Sequence, residues 1–289
     1  MSNILITGAT GHLGSIVIEH ALNKIPASQI SVLVRDKEKA QLFKEKGLQI
    51  KIGNYHDIDS LDKAMKGIDK LLLISSSDFN NRIGQHKNVI DAAKKNNVKH
   101  ILYTGVTIKD ITNSPIKPLL EDHFQTEEYI KSNGFLYTFL QNNLYSDVIP
   151  MFIGENVFET GIYFPADEGK VAFANRKDLG EAIAKIATGE EYENKVYNLT
   201  SKNTHSFKEI ATILSSLSNT NVSYTSPDPK EYEKMLTQIG LPEGIILMST
   251  LFAAAIKNDD FNITGSTLEE ILGHDEIDFK SFLKETYHF

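Results

Sequence analysis

Asn3-Ile4-Leu5-Ile6-Thr7-Gly8-Ala9-Thr10-Gly11-His12-Leu13-Gly14 decides how the rest of the chain is read. A short apolar run ends at a glycine turn. Ser15-Ile16-Val17-Ile18-Glu19-His20-Ala21-Leu22 follows, with apolar residues at helical spacing. The order is strand, turn, helix. Gly8 gives a tight exit from the strand, and Gly11 lets the backbone approach a pyrophosphate where a Cβ would intrude. Gly14 permits close packing of helix on strand. The helix N-terminus then offers free N–H groups and a positive dipole end to phosphates. In this setting the triplet reads as a dinucleotide-binding turn.

The second half of that fingerprint lies at the end of the next strand. Gln29-Ile30-Ser31-Val32-Leu33-Val34-Arg35-Asp36 has the β-branched content of a buried strand, about 20 residues after the turn. An acidic residue there would accept a hydrogen bond from the ribose 2′-OH of NAD. Arg35 instead offers a guanidinium fork to a 2′-phosphate, so the expected cofactor is NADPH. Asp36 is expected to cap the helix that runs from Lys37 to Lys46.

Composition narrows the classes. With 289 residues the chain suffices for one large α/β domain or one and a half. There are no cysteines, which excludes disulfides, thiolate zinc sites, iron–sulfur clusters and a cysteine nucleophile. A net charge of −8, with no Lys/Arg run, argues against nucleic acid as a partner. No window has the apolar length of a membrane span, and the glycines near the start interrupt any signal-peptide core. A cytoplasmic protein is expected. None of the nine histidines has metal-ligand spacing to another, so no metal site is expected.

In chain order, strands are expected at 48–52, 69–75, 98–105 and 135–140. Helices are expected between them at 60–67, 85–97 and 118–132. This alternation predicts a Rossmann-type doubly wound parallel sheet. The loop at 53–57 would lie near the adenine or simply precede a helix capped by Asp59. Hydroxyls in Ser75-Ser76-Ser77 would meet ribose or phosphate, or cap the next helix. Beyond Pro150 the regularity breaks. Short strands are expected near 161–165, 170–174, 195–200 and 222–224. Helices are expected at 178–188, 206–217 (with a Ser206/Glu209 capping box), 229–239, 242–257 and, last, 267–273. The division is therefore a nucleotide-binding domain at 1–150 and a smaller C-terminal α+β lobe at 151–289, packed on the first and lending strands to its sheet. Met248, Leu251 and Phe252 on the 242–257 helix would face core or an apolar ligand.

One absence is informative. Short-chain dehydrogenases acting on ordinary ketones use Tyr-x-x-x-Lys to protonate the developing alkoxide. None of the eleven tyrosines here has lysine four residues later. An alkoxide has a conjugate acid as weak as water, roughly 16, whereas a phenolate's is near 10. Quinone reduction gives the phenolate type, which solvent can protonate.

Together, Gly8-Ala9-Thr10-Gly11-His12-Leu13-Gly14, Val34-Arg35, Leu72-Leu73-Ile74-Ser75-Ser76-Ser77, Gln85-His86-x-Asn88-Val89-Ile90 and Gly240-Leu241-Pro242 resemble the type 2 NADPH:quinone oxidoreductases. These belong to the NmrA-like, atypical short-chain dehydrogenases. The resemblance spans nearly the whole chain and implies NADPH-dependent reduction of a small quinone. It implies that Gly8, Thr10, Gly11, His12, Leu13, Gly14, Arg35, Ser75, Ser76, Ser77, Gln141, Asn142, Asn143 and Tyr145 contact NADPH. Under this reading Asn142 and Tyr145 would hydrogen-bond the quinone carbonyls, and His123 would relay a proton. A lysine found in some relatives on the helix after the fifth strand is absent from His123-Phe124-Gln125-Thr126-Glu127. Leu144 also stands where quinone-reducing relatives carry a large aromatic. The group also contains NADP(H)-binding redox sensors without turnover, which the missing Tyr/Lys pair fits equally well. A homodimer is among the assemblies the chain admits.

Overall fold

The computed structural model describes residues 2–76, 78 and 80–289. Apolar runs form buried strands, and the amphipathic segments between them cover the sheet. In chain order the first half is β1 (Ile4–Ile6), α1 (His12–Leu22), β2 (Ile30–Val34), α2 (Lys37–Glu45), β3 (Gln49–Ile52) and α3 (Ile58–Met65). It continues through β4 (Lys70–Leu73), α4 (Arg82–Lys95), β5 (His100–Val106), α5 (Lys117–Ser132) and β6 (Leu136–Asn142). The second half starts with α6 (Ile149–Ile153), α7 (Val157–Thr160), β7 (Ile162–Tyr163), β8 (Lys170–Val171), α8 (Arg176–Thr188) and β9 (Lys195–Leu199). It ends with β10 (His205–Ser206), α9 (Phe207–Ser218), β11 (Tyr224–Thr225), α10 (Pro229–Gln238), α11 (Glu243–Lys257), α12 (Thr267–Leu272) and α13 (Phe279–Thr286).

Seven strands form one parallel sheet in the order β3-β2-β1-β4-β5-β6-β9. This is the doubly wound arrangement expected, extended by a strand from beyond residue 150. The order reverses between β1 and β4, which opens a crevice at their carboxyl ends. One face is covered by α1, α2, α8 and α12 around a core that includes Val17, Ile18, Val32, Ile183 and Leu268. The other is covered by α3, α4 and α5 around Leu61, Met65, Val89, Ile130 and Phe139. A third core, including Phe152, Phe164, Phe207, Ile256 and Phe261, joins the later helices to the end of β5 through Val106.

Local signals behave as their chemistry dictates. Asp36 caps α2 by accepting from Glu38 N at 2.8 Å. Ser206 and Glu209 form the full capping box of α9. Three details differ from expectation. Asp57, not Asp59, caps α3, because its carboxylate accepts from Ser60 N. α4 is preceded by Asn81 with φ 58° and no side-chain cap, so the serine turn does not start that helix. A further helix, α13, follows the one expected to be last. Asp278 accepts from Ser281 N at its start, and Phe282 and Leu283 are buried. Among the described residues no helix is long and apolar enough to cross a membrane.

Candidate active site

The site grows from the carboxyl ends of β1 and β4. Buried Thr7 ties them together: its Oγ1 donates to Leu72 O and accepts from Ile74 N. Gly8 then turns at φ +62°, and Gly11 N donates to Gly8 O at 2.9 Å. A Cβ on Gly14 would lie 2.2 Å from Gly8 O, so only glycine lets α1 sit this close to the turn. Gly11 is the N-cap of α1 and makes no side-chain capping bond, and the first turn holds no acid. The free N–H groups of the helix therefore remain available to phosphate oxygens.

From this turn a cavity of about 800 Å³ runs in two directions. Toward β2 and β3 it is lined by Arg35, Lys39, Asn54, Tyr55 and His56. With Asp36 spent on its cap, two cations remain to meet a 2′-phosphate. Sequence reading named only Arg35. Lys39 was missed because it looks like any exposed helix lysine until α2 is docked.

The Gln85-His86-x-Asn88 stretch builds the wall opposite. Gln85 Nε2 donates to Asp78 Oδ2 and Asn80 O, both at 3.0 Å. Asn88 Nδ2 holds Tyr55 O at 2.9 Å. His86 Nε2 accepts from Ser76 N at 3.4 Å, so its proton sits on Nδ1 and points to Thr126 Oγ1, which in turn donates to Asp122 O. Burial holds the His86 pKa down to about 3, with Arg82 adding to the effect. Ser75 and Ser76 line the cavity in the turn this network fixes, while Ser77 lies outside the described residues. Arg82, also a lining residue, is buried and bonds Asp122 through Nε at 2.7 Å and Nη2 at 2.5 Å.

Toward β5 and β6 the cavity meets Thr104, Gly105, His123, Asn142 and Tyr145. Asn142 Nδ2 donates to the Tyr145 hydroxyl at 3.1 Å, and Asn142 Oδ1 is buried without a partner among the described residues. The Arg176 guanidinium stacks on the Tyr145 ring, 4.6 Å from its centroid. No local motif announces Arg176, which arrives from the start of α8. His123 is buried, and its Nδ1 lies 2.8 Å from the Tyr103 hydroxyl.

Two expected cofactor contacts sit differently. Gln141 is absent from the lining, because alternate strand residues face opposite ways. Its Nε2 donates to both Glu127 carboxylate oxygens at 3.0 Å, on the α5 side of the sheet. Burial pushes the Glu127 pKa up to about 7. Asn143 borders the cavity, but its side chain is committed to Thr200 Oγ1, Phe261 O, Ile263 O and its neighbour Leu144 N. Its backbone N–H donates to Leu199 O at 3.0 Å, which leaves its carbonyl for a ligand.

Beyond Tyr145 the walls become apolar, with Leu120, Leu144, Val148, Met151, Phe152, Met248 and Phe252. Phe152 and Phe252 face each other at 5.8 Å between ring centroids. Of the three α11 residues named from sequence, Met248 and Phe252 line the cavity, while Leu251 packs on the third core. Among the described residues no group of His, Asp or Glu is placed to hold a metal ion.

Comparison with known proteins agrees with this geometry. Residues 1–281 match the NmrA-like family. The chain is 36% identical to Quinone oxidoreductase 2 of Escherichia coli over 273 residues, 94% of each chain. The crystal structure of an Escherichia coli NADPH-dependent quinone oxidoreductase with NADPH superposes with a TM-score of 0.90 at 33% identity, covering 98% of this chain and 99% of that one. The Citrobacter sp. triphenylmethane reductase complexed with NADP(H) does so with a TM-score of 0.90 at 37% identity, with the same coverage. Fold, glycine turn and whole-length similarity lead to one conclusion: this chain belongs to the NmrA-like family.

Proposed function

We propose that this protein is an NADPH-dependent oxidoreductase that reduces quinones. The observation that carries the reading is the continuity of one cleft. It begins at Arg35 and Lys39, crosses the bare N-terminus of α1, passes the Asn142–Tyr145 pair and ends among Phe152, Met248 and Phe252. Those are the successive requirements of a 2′-phosphate, a pyrophosphate, a nicotinamide ring and a planar apolar acceptor. The similarity to the Escherichia coli quinone oxidoreductase supports the same activity.

The residues fit the cofactor. Gly11 leaves the approach to the turn clear of a side chain, and the orphaned Asn142 Oδ1 supplies an acceptor at the nicotinamide end. NADPH, when bound, supplies a hydride that reduces the quinone by two electrons to a hydroquinone anion, which then takes one proton from water. The chain's own part is to orient and to exclude solvent. Arg35 and Lys39 hold the distal phosphate, Asn142 and Tyr145 fix the reacting end, and the aromatic pocket selects a flat ring. No Tyr-x-x-x-Lys acid is needed, because a phenolate-type product can be protonated by solvent. We place the activity in the cytoplasm, with small molecules rather than nucleic acid as partners.

NADPH absorbance followed with purified protein and a panel of benzo- and naphthoquinones tests this. Turnover is the expected result. Tight NADPH binding with no oxidation would replace the enzyme reading with that of a redox sensor.

A further inference from the structure

His123 and Tyr103 form a buried pair that the cofactor site does not require. Tyr103 is fully buried in β5, and His123 on α5 lines the cavity where the acceptor ring would sit. A buried phenol must place its single proton on an acceptor. The Tyr103 hydroxyl lies 2.8 Å from His123 Nδ1, with the Ser75 and Thr126 side chains also beside it. If Nδ1 carried the ring proton, the phenol would have to turn to Ser75 or Thr126, and Thr126 Oγ1 is already engaged by His86 Nδ1 and Asp122 O. The tautomer that satisfies both groups has Tyr103 O–H donating to Nδ1 and the ring proton on Nε2. Nε2 has no hydrogen-bond partner among the described residues and is not one of the buried unsatisfied atoms. It is the nitrogen left for the cavity.

We propose that His123 is a catalytic residue that acts as a neutral hydrogen-bond donor, through Nε2–H, to the oxygen of the bound acceptor that becomes negative on reduction, with Tyr103 as its positioning residue. The proposal rests on the quinone-reductase reading and gives His123 a task other than relaying a proton. The titratable and charged groups around it are Tyr103 on β5, Arg82 and His86 on α4, and Asp122 on its own helix. Burial comes first, with the Arg82 charge and then His86 adding to it, in holding the imidazole well below its ordinary pKa. Arg82 is bound to Asp122, which leaves no free carboxylate there to favour an imidazolium. A neutral imidazole is too weak an acid to give its proton to a phenolate, but a preorganised N–H in a dry site stabilises the oxyanion well. The proton that completes the hydroquinone comes from water.

The test is stopped-flow mixing of the preformed NADPH complex with a naphthoquinone, for the native protein, His123→Leu and His123→Gln. NADPH affinity is measured separately by fluorescence titration. We expect His123→Leu to slow the hydride step about a hundredfold. NADPH affinity should stay within about threefold, and the amide N–H of His123→Gln should restore part of the rate. The native rate should be flat between about pH 6 and about pH 9, without a histidine inflection. Nitrogen-15 NMR should find the His123 proton on Nε2, and Tyr103→Phe should mix the two tautomers. A rate within about threefold of native in His123→Leu, a histidine inflection that this variant abolishes, or a proton fixed on Nδ1 would each overturn the role of His123 while leaving quinone reduction intact. No oxidation by the native protein would overturn both.

Discussion

Asn142 Nδ2 donates to the Tyr145 hydroxyl at 3.1 Å, so the Tyr145 oxygen accepts there and its own proton stays free for a ligand. Burial raises the Tyr145 pKa, with the Asn142 hydrogen bond and then the Arg176 charge over the ring pulling it back down, so the hydroxyl keeps its proton to donate. Loss of this donor removes about one hydrogen bond from the reacting complex, worth about 1 kcal/mol. Tyr145→Phe should therefore lower kcat five- to tenfold, on the order of 1–1.4 kcal/mol, and leave NADPH affinity within a few fold. Steady-state kinetics with a parallel binding titration check this, and an unchanged kcat would remove the hydroxyl from the site.

The glycine turn makes two different demands. A Cβ on Gly14 would lie 2.2 Å from Gly8 O, a backbone atom that cannot yield cheaply, whereas on Gly11 it would meet the same oxygen at 3.2 Å. Gly14→Ala should destabilise the fold by about 2–3 kcal/mol, as overpacking does, and lose cofactor binding with it. Gly11→Ala should melt close to the native temperature yet bind NADPH at least tenfold more weakly, because its methyl occupies the approach of the pyrophosphate. Thermal melts with titrations separate the two. Native affinity in folded Gly11→Ala would place the phosphates elsewhere.

Arg35 and Lys39 both line the cavity beyond β2. Charge-assisted bonds to phosphate are worth about 1.5–3 kcal/mol each. Arg35→Ala should thus weaken NADPH by tenfold or more, Lys39→Ala by less, and NADH with either by no more than about twofold. Equal losses for both cofactors would contradict the 2′-phosphate role.

Buried Glu127, paired with half-buried Gln141, gives stability a pH signature. The Glu127 pKa is raised from 4.5 to about 7 in the folded chain, so between these values the folded state holds more protons than the unfolded one. Stability from this group is complete below about pH 4.5 and is lost as pH rises to about 7, on the order of 3 kcal/mol in all. Glu127→Gln keeps the shape and cannot ionise. It should gain stability over the native chain at about pH 8 and little at about pH 4.5, measured by urea unfolding. A variant less stable at the higher pH would show that the carboxylate form is the one the fold prefers.

The readings that held were those where one residue's chemistry is local. Gly8, Gly14, Asp36 and the Ser206/Glu209 box act on neighbours within a few positions, and their spacing reveals them. The site beyond the glycine turn is assembled across the chain. Tyr103 and His123 are brought together from β5 and α5, Arg176 reaches Tyr145 from another helix, and Asn143 ties β6 to Thr200 and Phe261. Gln141 illustrates the limit of loop reading. It was grouped with Asn142 by adjacency, but β6 continues through Asn142, and strand alternation sends the two side chains to opposite faces. α13 was passed over because its eight residues bury only Phe282 and Leu283.

The central claim is that a cofactor held by Arg35, Lys39 and the glycine turn delivers its hydride to a quinone in the aromatic pocket. Its most direct measurement is the steady-state rate of NADPH oxidation with a series of quinones, run beside NADH. The account expects saturable turnover with a flat aromatic quinone and a kcat/KM for NADPH well above that for NADH. NADPH that binds tightly and is never oxidised by any quinone would contradict it.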